Sequence, residues 1–257
     1  MPNADLPCNH TSISQRKTKM NASSEIIHYV IGDIHGQHDQ LCSLLNAIES
    51  RHRWKHADKK AIIVYLGDYI DRGAGSRSVI ERVMEGIEGF ESVCLKGNHE
   101  ELLLRCLETE ERSAWNTWMA VGGEPTLKSF GYDLFYEKYN SARLSEALGE
   151  ATLNWLRELR LFYRNSDFLC VHAGLLPNVS FENQKEKDML WIRRQFLGSD
   201  YDFGFGVIHG HTPSDRPTVK PNRIGIDTGA GQGGELTALV VDRTWAELVR
   251  EPIFISI

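Results

Sequence analysis

The sequence predicts an α/β protein built around a parallel sheet. Short apolar runs alternate with segments whose apolar residues recur at helical spacing, the pattern of βαβ units. In 257 residues, 41% hydrophobic and 25% charged side chains give an ordinary globular composition with enough length for a sizeable core. Polar clusters rich in Asp, His and Gly follow the apolar runs, where an open α/β sheet forms its ligand crevice.

The first strand is predicted at Ile26 to Ile31, a run rich in Ile and Val. A helix follows over Gln37 to Ser50, with Leu41, Leu44, Leu45 and Ile48 on one face. Ala61 to Leu66 reads as a second buried strand. Ser76 to Glu85 reads as a helix with Val79, Ile80 and Val83 apolar and Ser76 as a candidate N-cap. Ser92 to Leu95 and Glu100 to Leu107 continue the rhythm as strand and helix. From 108 to 160 the chain reads as mainly helical, broken at Gly122-Gly123. There Trp115, Trp118 and Met119 read first as helix core and second as walls of a substrate cleft. Short strands are then expected at Phe168 to Val171, Gly206 to Ile208, Ile224 to Ile226, Leu236 to Val241 and Ala246 to Val249. They suit a second, more antiparallel sheet. The basic stretch RHRWKHADKK at 51–60 reads as a solvated helix end and loop.

Residues 1–24 are polar, lack the apolar core of a secretory signal and read as a mobile tail; 25–257 read as one domain. A net charge of −6 argues against broad nucleic-acid binding. Five scattered cysteines (Cys8, Cys42, Cys94, Cys106 and Cys170) form no Cys-x-x-Cys pair and read as free thiols. No apolar run approaches the roughly 18 residues of a membrane span. The expectation is a cytoplasmic monomer with no membrane and no nucleic-acid partner.

Five polar clusters end predicted strands: Gly32-Asp33-Ile34-His35-Gly36, Gly67 to Gly73, Gly97-Asn98-His99-Glu100, His172-Ala173-Gly174 and His209-Gly210-His211-Thr212. Carboxylates, imidazoles and an Asn without thiolate suit manganese, iron or zinc. The supply exceeds one ion and suits a pair about 3.5–4 Å apart, which would generate a hydroxide nucleophile and hold phosphoryl oxygens. Arg72, next to Asp71, offers a fork for phosphate oxygens. Asn98 and His99 are adjacent and point apart, so one can face metal and the other the leaving group. His99, charged beside Asp71, suits a general acid.

GDIHG at 32–36, GDYIDRG at 67–73 and GNHE at 97–100 together resemble the three signatures of the phosphoprotein phosphatase family of binuclear metallophosphoesterases, in its bacterial and phage branch. The resemblance spans about residues 26–242. It implies a β-sandwich of two mixed sheets flanked by helices. It implies two divalent metal ions, manganese first and iron or zinc as alternatives. Asp33 and His35 would bind the first, Asp68 would bridge, and Asn98, His172 and His211 would complete the second. His99, held by Asp71, would protonate the leaving oxygen. Arg72, Arg193 of Trp191-Ile192-Arg193 and Asn98 would hold phosphate, with Arg194 behind Arg193. His209 lies two residues before His211 on the same strand face and reads as a packed strand-end histidine. The implied activity is serine/threonine phosphoprotein hydrolysis, with phosphotyrosine as a further substrate and a phosphopeptide or phosphoprotein as partner. The alternatives are a symmetrical dinucleoside tetraphosphate hydrolase, whose branch generally departs from DRG at the aspartate, and a silent metal-dependent regulator.

Overall fold

The computed structural model describes residues 25–109, 111–132, 134 and 139–257. The expected tail, with Cys8, lies outside the described residues. Strands β1 (Ile26–Ile31), β2 (Lys60–Tyr65) and β3 (Phe90–Cys94) alternate with helices α1 (His38–Lys55) and α2 (Ser76–Glu85). After β3 come α3 (Asn98–Glu108), α4 (Arg112–Ala120), α5 (Glu124–Ser129) and α6 (Ser141–Glu158). Gly149, at φ 77°, breaks α6 into two pieces. Strands β4 (Phe162–Arg164) and β5 (Phe168–Val171) precede α7 (Glu186–Trp191) and α8 (Arg194–Leu197). β6 (Gly206–His209), β7 (Thr218–Lys220), β8 (Arg223–Gly225), β9 (Thr237–Val241), α9 (Trp245–Arg250) and β10 (Ile253–Ser256) complete the chain.

Two five-stranded mixed sheets result, ordered β10-β9-β1-β2-β3 and β4-β5-β6-β8-β7. Each has three parallel strands, extended by antiparallel ones. The two-residue period of a strand explains the layering. Val30, Ile62, Val64 and Leu66 face Phe168, Cys170, Ile208 and Ile224 between the sheets. Their neighbours Tyr29, Ile31, Ile63 and Tyr65 face the α1–α6 helices. On the far side, Leu169, Val171 and Val207 pack on Met189, Ile192 and Phe196 of α7 and α8. Cys42, Cys94, Cys106 and Cys170 are free thiols. Among the described residues no helix is long and apolar enough to cross a membrane.

Three expectations need correction. Residues 246–249 are helical, not a strand: Thr244 caps α9 through a reciprocal box, its N–H and hydroxyl both donating to Glu247. The second sheet is parallel at its centre, because β9 and β10 pair with the first sheet instead. Ser76 does not cap α2; that place belongs to Gly75, and the Ser76 hydroxyl accepts the Asp71 N–H at 3.1 Å.

Candidate metal centre

Parallel strands put their carboxyl ends on one edge, and the loops leaving β1, β2, β3, β5 and β6 converge there. The backbone is strained where it turns into the site. Six described non-glycine residues have positive φ; His35 (48°), Asp68 (53°), Asp71 (73°), Arg72 (67°) and His211 (65°) are five of them. Such conformations persist only where surrounding structure enforces them. Glu100 supplies part of that enforcement, its buried carboxylate accepting the Gly97, Asp68 and Tyr69 N–H groups at 2.9 Å each. Burial, and then Asp68, pushes Glu100 up to about 8. Gly97 is required at its position, since a Cβ there would fall 2.1 Å from Asp68 Oδ1.

Asp68 lies at the centre. His35 Nε2 and His172 Nε2 each stand 3.5 Å from its carboxylate, and His99 Nε2 stands at 3.8 Å. Two overlapping groups have ligating atoms within 4.8 Å of one another: His35, Asp68 and His99, and Asp68, His172 and His211. Asn98 Oδ1 joins the second, 2.9 Å from His172 Nε2 and 2.7 Å from His211 Nδ1. Asp33 stands outside both groups, its carboxylate accepting the His211 N–H at 3.0 and 3.2 Å.

These donors fit divalent cations. His35 and His172 direct Nδ1 at the carbonyls of Ile70 (2.9 Å) and Leu66 (3.0 Å). With the proton so placed, Nε2 presents a lone pair toward Asp68, the arrangement that orients metal-binding imidazoles. Burial foremost keeps the rings neutral: His35 falls to about 3, His211 to about 2, and His172 below its ordinary value. Asp33 is raised well above the carboxylate range by burial and by the charges of Asp227 and Asp68. Asp227 is pushed up to about 6, chiefly by burial. Burial works against the charge on Asp68 too, yet His172, His99, His35 and His211 outweigh it and hold Asp68 below the usual range. Crowded carboxylates and neutral imidazoles call for positive charge between them.

His99 is different. Its Nδ1 lies 2.6 Å from Asp71 Oδ2, and its Nε2 lies 3.2 Å from an Arg72 nitrogen. Burial opposes its charged form, but Asp68 and Asp71 prevail and raise its pKa. Arg193 Nε donates to His211 Nε2 at 3.0 Å, which places Arg193, ahead of Arg194, at the site's edge. His209 is buried on Phe196, with ring centroids 5.1 Å apart, as a packed strand-end residue. Trp115 and Trp118 are buried in the helical core, and Met119 packs against it. The sequence reading missed Glu100, Asp227, Trp118 and Thr126 as parts of this edge. Glu100 sits inside the GNHE motif and Trp118 reads as helix core or cleft wall, whereas Asp227, just past the predicted 224–226 strand, and Thr126 belong to no motif named above.

Fold and donor set define a metallophosphoesterase, a hydrolase of phosphoric esters. The chain belongs to the calcineurin-like phosphoesterase family, whose model matches residues 29–236. It is 29% identical over 241 residues to serine/threonine-protein phosphatase 2 of Escherichia coli, covering 87% of this chain and 97% of the relative. It is 25% identical over 235 residues to the asymmetrical bis(5'-nucleosyl)-tetraphosphatase PrpE of Halalkalibacterium halodurans, covering 82% and 88%. The cold-active protein-tyrosine phosphatase of a psychrophilic Shewanella shares the fold, with a TM-score of 0.53 and 15% identity over 91% of this chain and 82% of that one.

Proposed function

We propose that the chain is a phosphomonoesterase of the serine/threonine phosphoprotein phosphatase kind, acting also on phosphotyrosine. The observation that carries this reading is the His99–Asp71–Arg72 group beside the cation-binding donors. An alkyl phosphate loses a strongly basic alkoxide and needs a proton at the moment of cleavage. His99 Nε2 donates it, and Asp71 holds the ring and stabilises its charged form. Asp33, His35 and Asp68 would hold one cation, and Asp68, Asn98, His172 and His211 would hold the other. When bound, the pair supplies an activated water and positive charge for the phosphoryl oxygens. Manganese is the first expectation, with iron and zinc compatible with the same donors. Arg72, Arg193 and Asn98 bind the phosphoryl group. Attack is in line and direct: the new P–O bond forms to water oxygen as the ester P–O bond breaks, with no phosphoenzyme. We place the enzyme in the cytoplasm as a monomer, with phosphoproteins as its partners.

The second reading is dinucleoside tetraphosphate hydrolysis. The relatives named PrpE favour it, and that name specifies asymmetrical rather than symmetrical cleavage. Initial rates with Mn(II) on a phosphoserine peptide, a phosphotyrosine peptide and a dinucleoside tetraphosphate separate the readings. Faster phosphate release from the peptides is expected. Faster cleavage of the dinucleotide would overturn the first reading, and its products, two diphosphates or a tri- and a monophosphate, would fix the symmetry.

A further inference from the structure

We infer that Trp118 and Thr126, delivered by the α4–α5 helical unit, are positioning residues that clamp Asp71 in the orientation His99 requires. The Asp71 carboxylate is wholly buried. Besides His99, its Oδ2 accepts the Trp118 indole N–H at 2.9 Å, and its Oδ1 accepts the Thr126 hydroxyl at 2.7 Å. The Thr126 hydroxyl oxygen also accepts the Asp71 backbone N–H at 2.9 Å and lies 2.9 Å from Ser76 Oγ. Trp118, Thr126 and Ser76 are themselves buried. Both carboxylate oxygens are therefore claimed by buried donors.

The turn between the two helices belongs to the same device. Gly122 O accepts the Arg72 N–H at 2.9 Å, which ties the strained 71–72 backbone to the unit. Gly123 lets the chain pass under the Trp118 ring, where a Cβ would fall 2.8 Å from the indole. One segment, 47 and 55 residues along the chain from Asp71, thus fixes its carboxylate and its backbone together. A carboxylate held on both oxygens keeps one orientation toward Nδ1, and so fixes the ring and the face that Nε2 presents. The clamp acts through Asp71 and touches no reacting atom.

The proposal rests on His99 being the proton donor, and the experiment separates the two. Turnover is measured on a phosphoserine peptide and on an aryl phosphate with a good leaving group, for His99→Asn, Trp118→Phe, Thr126→Val and Thr126→Ser. Trp118→Phe and Thr126→Val are expected to lose about 10- to 100-fold on the peptide, as when a supporting hydrogen bond is removed. Both are expected to stay near the parent rate on the aryl ester, and Thr126→Ser is expected to restore the peptide rate. Equal losses on the two esters, or none, in Trp118→Phe and Thr126→Val would overturn the clamp while His99→Asn keeps its leaving-group dependence. Equal losses in His99→Asn would overturn the proton-donor reading, and the clamp with it. If Trp118→Phe does not fold, the Thr126→Val and Thr126→Ser pair decides alone.

Discussion

Each sheet has three neighbouring parallel strands, yet the two furnish the edge differently. Loops after β1, β2 and β3 bring whole motifs: Asp33 with His35, Asp68 with Asp71 and Arg72, Asn98 with His99 and Glu100. Loops after β5 and β6 bring one principal donor each, His172 and His211, and α7 leads into Arg193. Four of the five strained site residues sit on first-sheet loops, while His211 alone represents the second. The first sheet builds the frame and the second closes it. Removing a frame residue should therefore cost more than removing a closing one.

Asp68→Asn gives the largest effect. Asp68 is the one residue common to both donor groups, and its loop is held by Glu100. Turnover is expected to fall on the order of 10³-fold or more, the scale of losing a major electrostatic group. Bound metal per chain, measured on the purified protein, is expected to fall at both sites. His172→Ala, on the second sheet, is expected to lose metal at one site only. Equal metal loss in the two variants would break the division between frame and closure.

The same contrast explains what could be read in advance. The first-sheet motifs are contiguous, and the first two follow β-branched runs, so position, residue type and element agree over a few residues. The second sheet's edges, β4 and β7, have three residues each, too few to show a period. The apolar residues of 246–249 imitate a strand, while the Thr244–Glu247 capping box that decides for a helix is made of polar residues outside any apolar period. The return of β9 and β10 to the first sheet depends on pairing across more than 200 residues, which no local pattern encodes. Trp118 and Thr126 belong with these cases: a buried Trp in a helical stretch reads as core, and only folding reveals that its N–H has a carboxylate to serve.

Two glycines offer a sharper test. A methyl at Gly97 would meet Asp68 Oδ1 at 2.1 Å and its backbone N at 2.3 Å; one at Gly206 would meet the Trp245 ring at 2.1 Å. Both Gly97→Ala and Gly206→Ala are expected to cost about 3 kcal/mol, the upper part of the overpacking range, as read by urea midpoints. Only Gly97→Ala should also lose turnover per folded molecule, because it displaces the Asp68 carboxylate at the centre of the donor groups. Lost turnover in folded Gly206→Ala would show that strain at the start of β6 is carried along the strand to His211 just past its far end.

The smallest effect concerns the layer joining the sheets. His28 of β1 lies between them, 2.8 Å from the Tyr163 hydroxyl and edge-on to Phe168 at 5.1 Å. Burial lowers its pKa to about 4. The unfolded chain therefore binds a proton near pH 6.5 that the folded chain refuses until about pH 4. Stability contributed by this neutral ring is present above 6.5 and is lost as pH falls toward 4, because the unfolded state binds more protons there. Between pH 7 and pH 5 the loss amounts to about 2 kcal/mol. His35, His209 and His211 are lowered in the same direction, so the metal-free protein should weaken further in acid. His28→Leu is expected to flatten the urea-midpoint profile over this range by about that amount and to leave metal content and turnover intact. An unchanged profile would place the acid sensitivity in the site histidines alone. Altered metal content would instead mean that the inter-sheet layer sets the spacing of the loops that carry the candidate metal donors.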